Sequence, residues 1–193
     1  ALLDHNLVQR VDDVDGQPRY AMLETVREYA LEQLAGDRDE YARIASTHAR
    51  HFLAFMPAAE AQLRSGRRMA ALERLRADRG NLRAALDCVT AAQPEVETAA
   101  RLVAASGWWW YFDNGFNEGE RWVRAALALS TAPALRALVL AAGARVAVYG
   151  AQPALGMERA VEAIQLAAAA GDARTEAATL LVLAVPVLGR SRD

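Results

Sequence analysis

The chain changes its hydrophobic period once, near its start. Leu7-Val8-Gln9-Arg10-Val11 and Arg19-Tyr20-Ala21-Met22-Leu23 alternate across an acidic turn that ends in Asp15-Gly16. Both turn residues tolerate the positive φ of a tight turn, so the pattern predicts a β-hairpin. A lone hairpin is marginal in water and must lean on neighbouring elements. From Glu24 the period becomes about 3.6. Leu23, Val26, Ala30 and Leu34 fall on one helical face, and Gly36 ends the run.

Helical spacing then continues to the end of the chain. Asp37 with Glu40 three residues on forms a capping pair for a helix carrying Ile44, Phe52 and Phe55, which Pro57 is expected to kink or divide. A further stretch from Arg67 to Ala91 carries Leu72, Leu75, Leu82, Ala85, Leu86 and Val89 on its apolar stripe, with a break expected at Gly80-Asn81. Beyond it, Pro94, Gly115, Pro133, Gly150, Pro153, Gly171 and Gly189 punctuate a series of short helices. Gly119, Val123, Ala126 and Leu129 superpose on Gly156, Ala160, Ala163 and Leu166. The period is near the roughly 34 residues of a tetratricopeptide repeat, although an alanine-rich helical chain also produces such matches by chance.

Composition favours the same class. Isoleucine occurs only at Ile44 and Ile164 and alanine is abundant, which suits helices over sheets. The formal net charge is −2, without the basic excess of a non-specific nucleic-acid binder. All 22 basic residues are arginine, so neither Schiff-base chemistry nor a phosphate-loop lysine is available. The single Cys88 excludes an intrachain disulfide framework and suits a reducing, cytoplasmic setting. No apolar run reaches the roughly 18 to 20 residues of a spanning helix. The opening Ala-Leu-Leu-Asp, without Met or a signal sequence, reads as the start of a fragment.

Asn6-Leu7-Val8, Gly16 and the unbroken block Arg19 to Leu34 resemble the junction after the nucleotide-binding core in bacterial STAND-type ATPase regulators, where a winged helix ends in a hairpin and passes into a long helix. His48-Ala49-Arg50-His51-Phe52, Asn81 to Leu86 and Gly115 to Trp122 resemble later stretches of the same family. The resemblance implies tetratricopeptide-like repeats acting as sensor or interaction surface. It also implies a parent regulator that elsewhere carries a LuxR-type or SARP-type DNA-binding domain. The phosphate-loop motif and a complete winged helix are absent from this sequence, so neither ATP hydrolysis nor DNA binding is assigned to it.

Candidate chemistry is sparse. His48 and His51 share a helical face, but Glu40 is two turns away and no Cys is near, so no metal site is expected. Asp113 to Glu120 superficially resembles a calcium loop, yet Gly115, Glu118 and Arg124 occupy positions that need other residues. A helix-to-helix turn is the better account, with Asn117 as cap and Glu120 completing the reciprocal bond. Arg64, Arg67, Arg68, Arg74, Arg76, Arg79 and Arg83 form a basic strip, interleaved with Glu73, Asp78 and Asp87 at spacings that suit local ion pairs. No nucleophile and base are grouped for catalysis. Cys88 reads as a small hydrophobe, and Asp12 and Asp13 as part of an exposed turn.

Trp108-Trp109-Trp110-Tyr111-Phe112 is the most unusual stretch. Successive helical residues point about 100° apart, so five aromatics cannot all face one core. Inter-helix packing accounts for most of them, and at least one of Trp109, Trp110 or Tyr111 is a candidate for lining a functional surface. Trp122 is expected to pack against the cluster.

These readings converge on an all-α, tetratricopeptide-like stack of antiparallel helix pairs with one short N-terminal β-hairpin. Residues 1–36 are expected to be the tail of a winged-helix domain, 37–94 linking helices and 95–193 the repeats. The expected role is non-catalytic and needs no cofactor. It is the binding of a protein, a peptide or a small effector, or of other domains of the parent, at Trp108, Trp109, Trp110, Tyr111 and Trp122. Neither a membrane nor direct nucleic-acid contact is expected of the segment. The alternative is a nucleic-acid contact through the Arg64 to Arg83 strip.

Overall fold

The computed structural model describes residues 2–14, 17–92, 95–130 and 132–189, so the expected Asp15-Gly16 turn and the Pro94 boundary lie outside the described residues. Strands β1 (Val8–Val14) and β2 (Gln17–Met22) pair antiparallel, with Val8 opposite Met22 and Val11 opposite Arg19. Asp12 and Asp13 belong to β1 rather than to a turn. Helix α1 (Glu24–Ala35) follows and ends at Gly36 as its spacing predicts. None of its side chains is buried; Val26 and Leu34 are half-buried, while Leu23 and Ala30 stay exposed.

Asp37 caps α2 (Arg38–Leu63), its Oδ1 accepting from the backbone N–H groups of Asp39 and Glu40 at 3.1 and 3.0 Å. Pro57 does not divide this helix, which runs through it to Leu63. Ala49, Phe52, Met56, Ala59 and Leu63 make its buried stripe. The next helical stretch breaks at Asp78, not at Gly80-Asn81, separating α3 (Arg68–Ala77) from α4 (Arg79–Asp87). The shift has a tertiary cause. Arg19 of the hairpin donates to Asp78 Oδ1 at 2.7 Å and to the Ala77 carbonyl at 3.0 Å, holding the chain where the helix ends. A π-helical segment, Cys88–Ala92, then widens the last turn.

Five helices complete the described chain: α5 (Val96–Phe112), α6 (Phe116–Leu129), α7 (Pro133–Tyr149), α8 (Pro153–Ala169) and α9 (Ala173–Gly189). The pairs α5/α6 and α7/α8 repeat at 37 residues, since Val96 maps to Pro133 and Phe116 to Pro153. Their turns repeat as well. Asn114 (φ 55°) and Ala151 (φ 64°) hold the same left-handed position, and the N–H groups of Gly115 and Gln152 reach back to the carbonyls of Trp110 and Ala147 at 2.9 and 2.8 Å.

Within each pair the second helix approaches the first through a glycine. A Cβ on Gly119 would lie 2.7 Å from the Trp110 ring, and one on Gly156 would lie 2.4 Å from Val148 and 3.0 Å from the Ala144 carbonyl. The spacing that superposed Gly119 on Gly156 in sequence is therefore a packing equivalence. Helix α5 sits between α2 and α7, and α9 packs on both α7 and α8. One continuous core runs from Ala49 of α2 to Val146 of α7, and Ala144, Ala160 and Val182 form a smaller cluster beyond it.

A buried ion pair ties successive pairs together. Arg159 of α8 donates to both Glu120 oxygens of α6 at 2.6 and 2.7 Å and to the Gly143 carbonyl at 3.3 Å. Burial pushes the Glu120 carboxyl up, but bonds from Arg159 and Arg124 outweigh it and hold the group below its ordinary range. Glu120 therefore does not complete a capping bond. The left-handed Asn114 starts α6 at Phe116, leaving Asn117 inside the helix, and no side chain caps it.

Candidate functional site

The five consecutive aromatics split between the core and one open face, as the 100° step requires. Trp109 and Trp110 are 1% exposed, and Trp110 stacks on the equally buried Trp122 at 5.9 Å between ring centroids. Trp122 donates from Nε1 to Asp87 Oδ1 at 2.8 Å. These three rings hold α5 and α6 together, and burial removes Trp109, Trp110 and Trp122 from the surface expected at the cluster. Trp108, Tyr111 and Phe112 are half-exposed and share a helical face at i, i+3 and i+4. Trp108 stacks on Phe112 at 5.7 Å, and Tyr111 meets Tyr149 of α7 edge-on at 4.5 Å. Burial and the neighbouring Tyr111 raise the Tyr149 phenol above its ordinary value.

Arginines line this aromatic row. Arg64 lies 5.2 Å and Arg145 4.2 Å from the centre of the Trp108 ring, and Arg68 lies 4.3 Å from that of Phe112. Sequence reasoning did not single out Arg145. It stands on α7, 37 residues after Trp108, and only the packing of α5 on α7 brings the two together. A charged residue inside the apolar run Val139 to Val148 was the available signal.

Arg64 of the basic strip pairs locally with Glu60, but Arg76, Arg79 and Arg83 look beyond the acids interleaved with the strip. Arg76 donates to Asp113 at 2.7 Å, Arg79 pairs with the same buried carboxylate, and Arg83 grips Glu118 with its Nε at 3.0 Å. Arg74 lies over Phe55 at 4.7 Å. Asp78 and Asp87, expected to serve the strip, instead hold Arg19 and Arg121. The strip thus staples α3 and α4 to the turn between α5 and α6. Beside that turn, residues 113–118 and 149–151, together with Arg79, frame a recess of about 520 Å³. Its acidic residues Asp113 and Glu118 are already engaged by the arginines.

The remaining candidates carry no assembled chemistry. His48 packs edge-on against Phe52 at 5.1 Å, and burial and His51 lower its imidazole below the ordinary value. Among the described residues, no three His, Cys, Asp or Glu side chains gather into a metal-binding group. Cys88 is buried at the end of α4, and desolvation raises its thiol. Among the described residues, no helix is long and apolar enough to cross a membrane.

A hairpin and a solvent-facing helix thus precede a stack of helix pairs. Residues 1–35 match the winged helix-turn-helix domain. The chain is 34% identical over 187 aligned residues to proteins named as HTH-type transcriptional regulators in Mycobacterium tuberculosis strain H37Rv and in Mycobacterium bovis. The alignment covers 83% of this chain and 20% of each relative, so the chain spans about a fifth of the length of the curated relatives it matches. Both likenesses support a bacterial transcriptional regulator. No solved structure matches the chain. The winged helix-turn-helix match also removes the ground for setting direct nucleic-acid contact aside.

Proposed function

We propose that this chain is the non-catalytic sensor arm of a larger cytoplasmic bacterial regulator of the STAND type, with residues 1–36 as the tail of a winged-helix domain, 37–94 as linking helices and 95–193 as tetratricopeptide-like repeats. The observation that carries this reading is the division of the aromatic cluster. The rings that packing needs are buried, while Trp108, Tyr111 and Tyr149 remain half-exposed along the layer formed by α2, α5 and α7. Stacked helix pairs present such a layer as an extended surface for a peptide, a protein or a small effector. Aromatic rings supply large contact area there at low entropy cost.

Titration of the chain with a metabolite panel, followed by tryptophan fluorescence, tests the surface. Trp108→Ala and Tyr111→Ala are each expected to lower the affinity of a hit at least fivefold while leaving Tm within a few degrees. Unchanged affinity in both variants would remove the surface from the reading.

A second reading is favoured by the winged helix-turn-helix match over residues 1–35: a DNA contact made by the hairpin end. The arginine strip is a weaker donor for it, because Arg76, Arg79 and Arg83 already hold carboxylates. Fluorescence anisotropy with duplex DNA at rising salt separates the two routes. A steep salt slope that Arg67→Ala and Arg68→Ala leave unaltered supports the hairpin, and no binding at low salt dismisses both.

A further inference from the structure

Arg145 indicates the chemistry of the ligand, and the inference rests on the sensor-surface reading. Arg145 is 6% exposed, in the middle of α7. Its guanidinium lies 4.2 Å from the Trp108 ring centre, yet its Nε–H is buried and meets no acceptor among the described residues. Glu60 is the acid nearest in effect, and its carboxylate already bonds Arg64 at 3.5 Å. Glu60 acts on Arg145 only through space while bonding Arg64, so no carboxylate among the described residues is hydrogen-bonded to Arg145. Burial pulls its guanidinium down to about 10, so the charge is still present at neutral pH.

The other buried arginine among the described residues gives the contrast. Arg159, 7% exposed, is saturated by Glu120 and the Gly143 carbonyl. A buried cation without an acceptor is strongly disfavoured, and folds avoid it unless an anion completes the site. Arg145 thus sets an unpaired Nε–H beside the Trp108 ring, and a guanidinium offers donors spaced to match two carboxylate oxygens. One positive charge without a bonded carboxylate also suits a singly charged anion, whereas a phosphate dianion would leave excess negative charge in a desolvated place. We infer that Arg145 anchors a carboxylate-binding subsite, with Trp108 beneath the guanidinium and Tyr111 and Tyr149 flanking the bound group.

Titration calorimetry of the intact chain tests the subsite, with benzoate, its neutral counterpart benzamide, inorganic phosphate, and a short aromatic peptide ending in a free or an amidated carboxyl group. Benzoate or the free-acid peptide is expected to bind at least tenfold more tightly than benzamide, the amidated peptide or phosphate. Tighter binding of the peptide acid than of benzoate identifies a chain terminus as the source of the carboxylate; the reverse identifies a free organic acid. Arg145→Met should lower that affinity at least tenfold. Glu60→Gln, which releases Arg64 from its partner, should tighten it severalfold and serves if the first variant does not fold. Benzamide binding as tightly as benzoate overturns the assignment, as does an Arg145→Met affinity equal to wild type or an unchanged affinity in Glu60→Gln. If Trp108→Ala still weakens a neutral effector while no carboxylate binds, the sensor surface stands and its anionic character falls.

Discussion

Residues 2–35 and the stack from α2 onward follow the same local rules and reach opposite ends in burial. In the first region Leu2, Leu3, Leu7, Val11, Tyr20, Leu23, Tyr29 and Leu31 are all exposed, and α1 buries no side chain. In the second, one core runs unbroken from Ala49 to Val146 and includes three tryptophans at 1% exposure. The contrast shows that hairpin and helix patterning specify an element without supplying its stability. Helical stability in proteins comes mostly from packing an apolar face, and α1 has little on which to pack here. Arg19 is one tie between the regions, through Ala77 and Asp78, beside the contacts of α1 with α2 and of β1 with α3.

If that contrast is right, damage inside the stack should cost far more than damage to the hairpin. Trp110→Ala removes a ring stacked on Trp122 and is expected to cost about 3–5 kcal/mol by denaturant unfolding. A cost below about 1 kcal/mol would mean that the core does not depend on this ring. Glu120→Gln weakens the buried link between pairs and should cost about 2–3 kcal/mol. Its pH dependence has a definite sign. The folded Glu120 carboxyl sits below its ordinary value, so its contribution is complete above that range and is lost as pH falls through the folded value. Wild-type stability should therefore drop on acidification below about pH 4, and less steeply in the Gln variant; parallel Tm profiles of the two proteins would contradict this.

Gly156→Ala drives a Cβ into Val148 and the Ala144 carbonyl, and about 2 kcal/mol of destabilisation is expected from such overpacking. Gly119→Ala tests the equivalence of the two pairs and should show a similar Tm loss. Ala151→Gly relieves a left-handed alanine and should raise stability by about 1 kcal/mol, whereas Asn114, at the equivalent turn, tolerates that conformation better. The smallest effect belongs to the other region. Arg19→Ala should cost about 0.5 kcal/mol, with hydrogen exchange accelerating in residues 8–22 while the stack stays protected. Loss of protection in α5 or α7 would show that the two regions unfold together.

Much of the architecture was legible because it is local. The switch from period two to 3.6 at Glu24, the Asp37 cap, the end at Gly36, and the 37-residue match of Gly119 with Gly156 all reflect side-chain preference and helix geometry acting over a few residues. The misplaced details share one property, which is that a distant residue decides them. Asp78 replaces Gly80-Asn81 as the break because Arg19 holds it, and the arginine strip looks past its own acids to Asp113 and Glu118.

The candidate site divides in the same way. The run from Trp108 to Phe112 announces, by sequence alone, that some aromatic must lie outside the core, since a helix turns about 100° per residue. Which ones do so depends on where α2, α6 and α7 press against α5, and that contact buries Trp109 and Trp110 while leaving Trp108 and Tyr111 partly open. Arg145 acquires its meaning only there. Periodicity places it among apolar neighbours on α7, but its Nε–H without an acceptor among the described residues and its seat on Trp108 arise from two helices meeting across 37 residues of chain. Local propensity therefore determined the elements and their repeat, and tertiary packing decided which side chains were left to bind, because solvent exposure depends on what each helix happens to face.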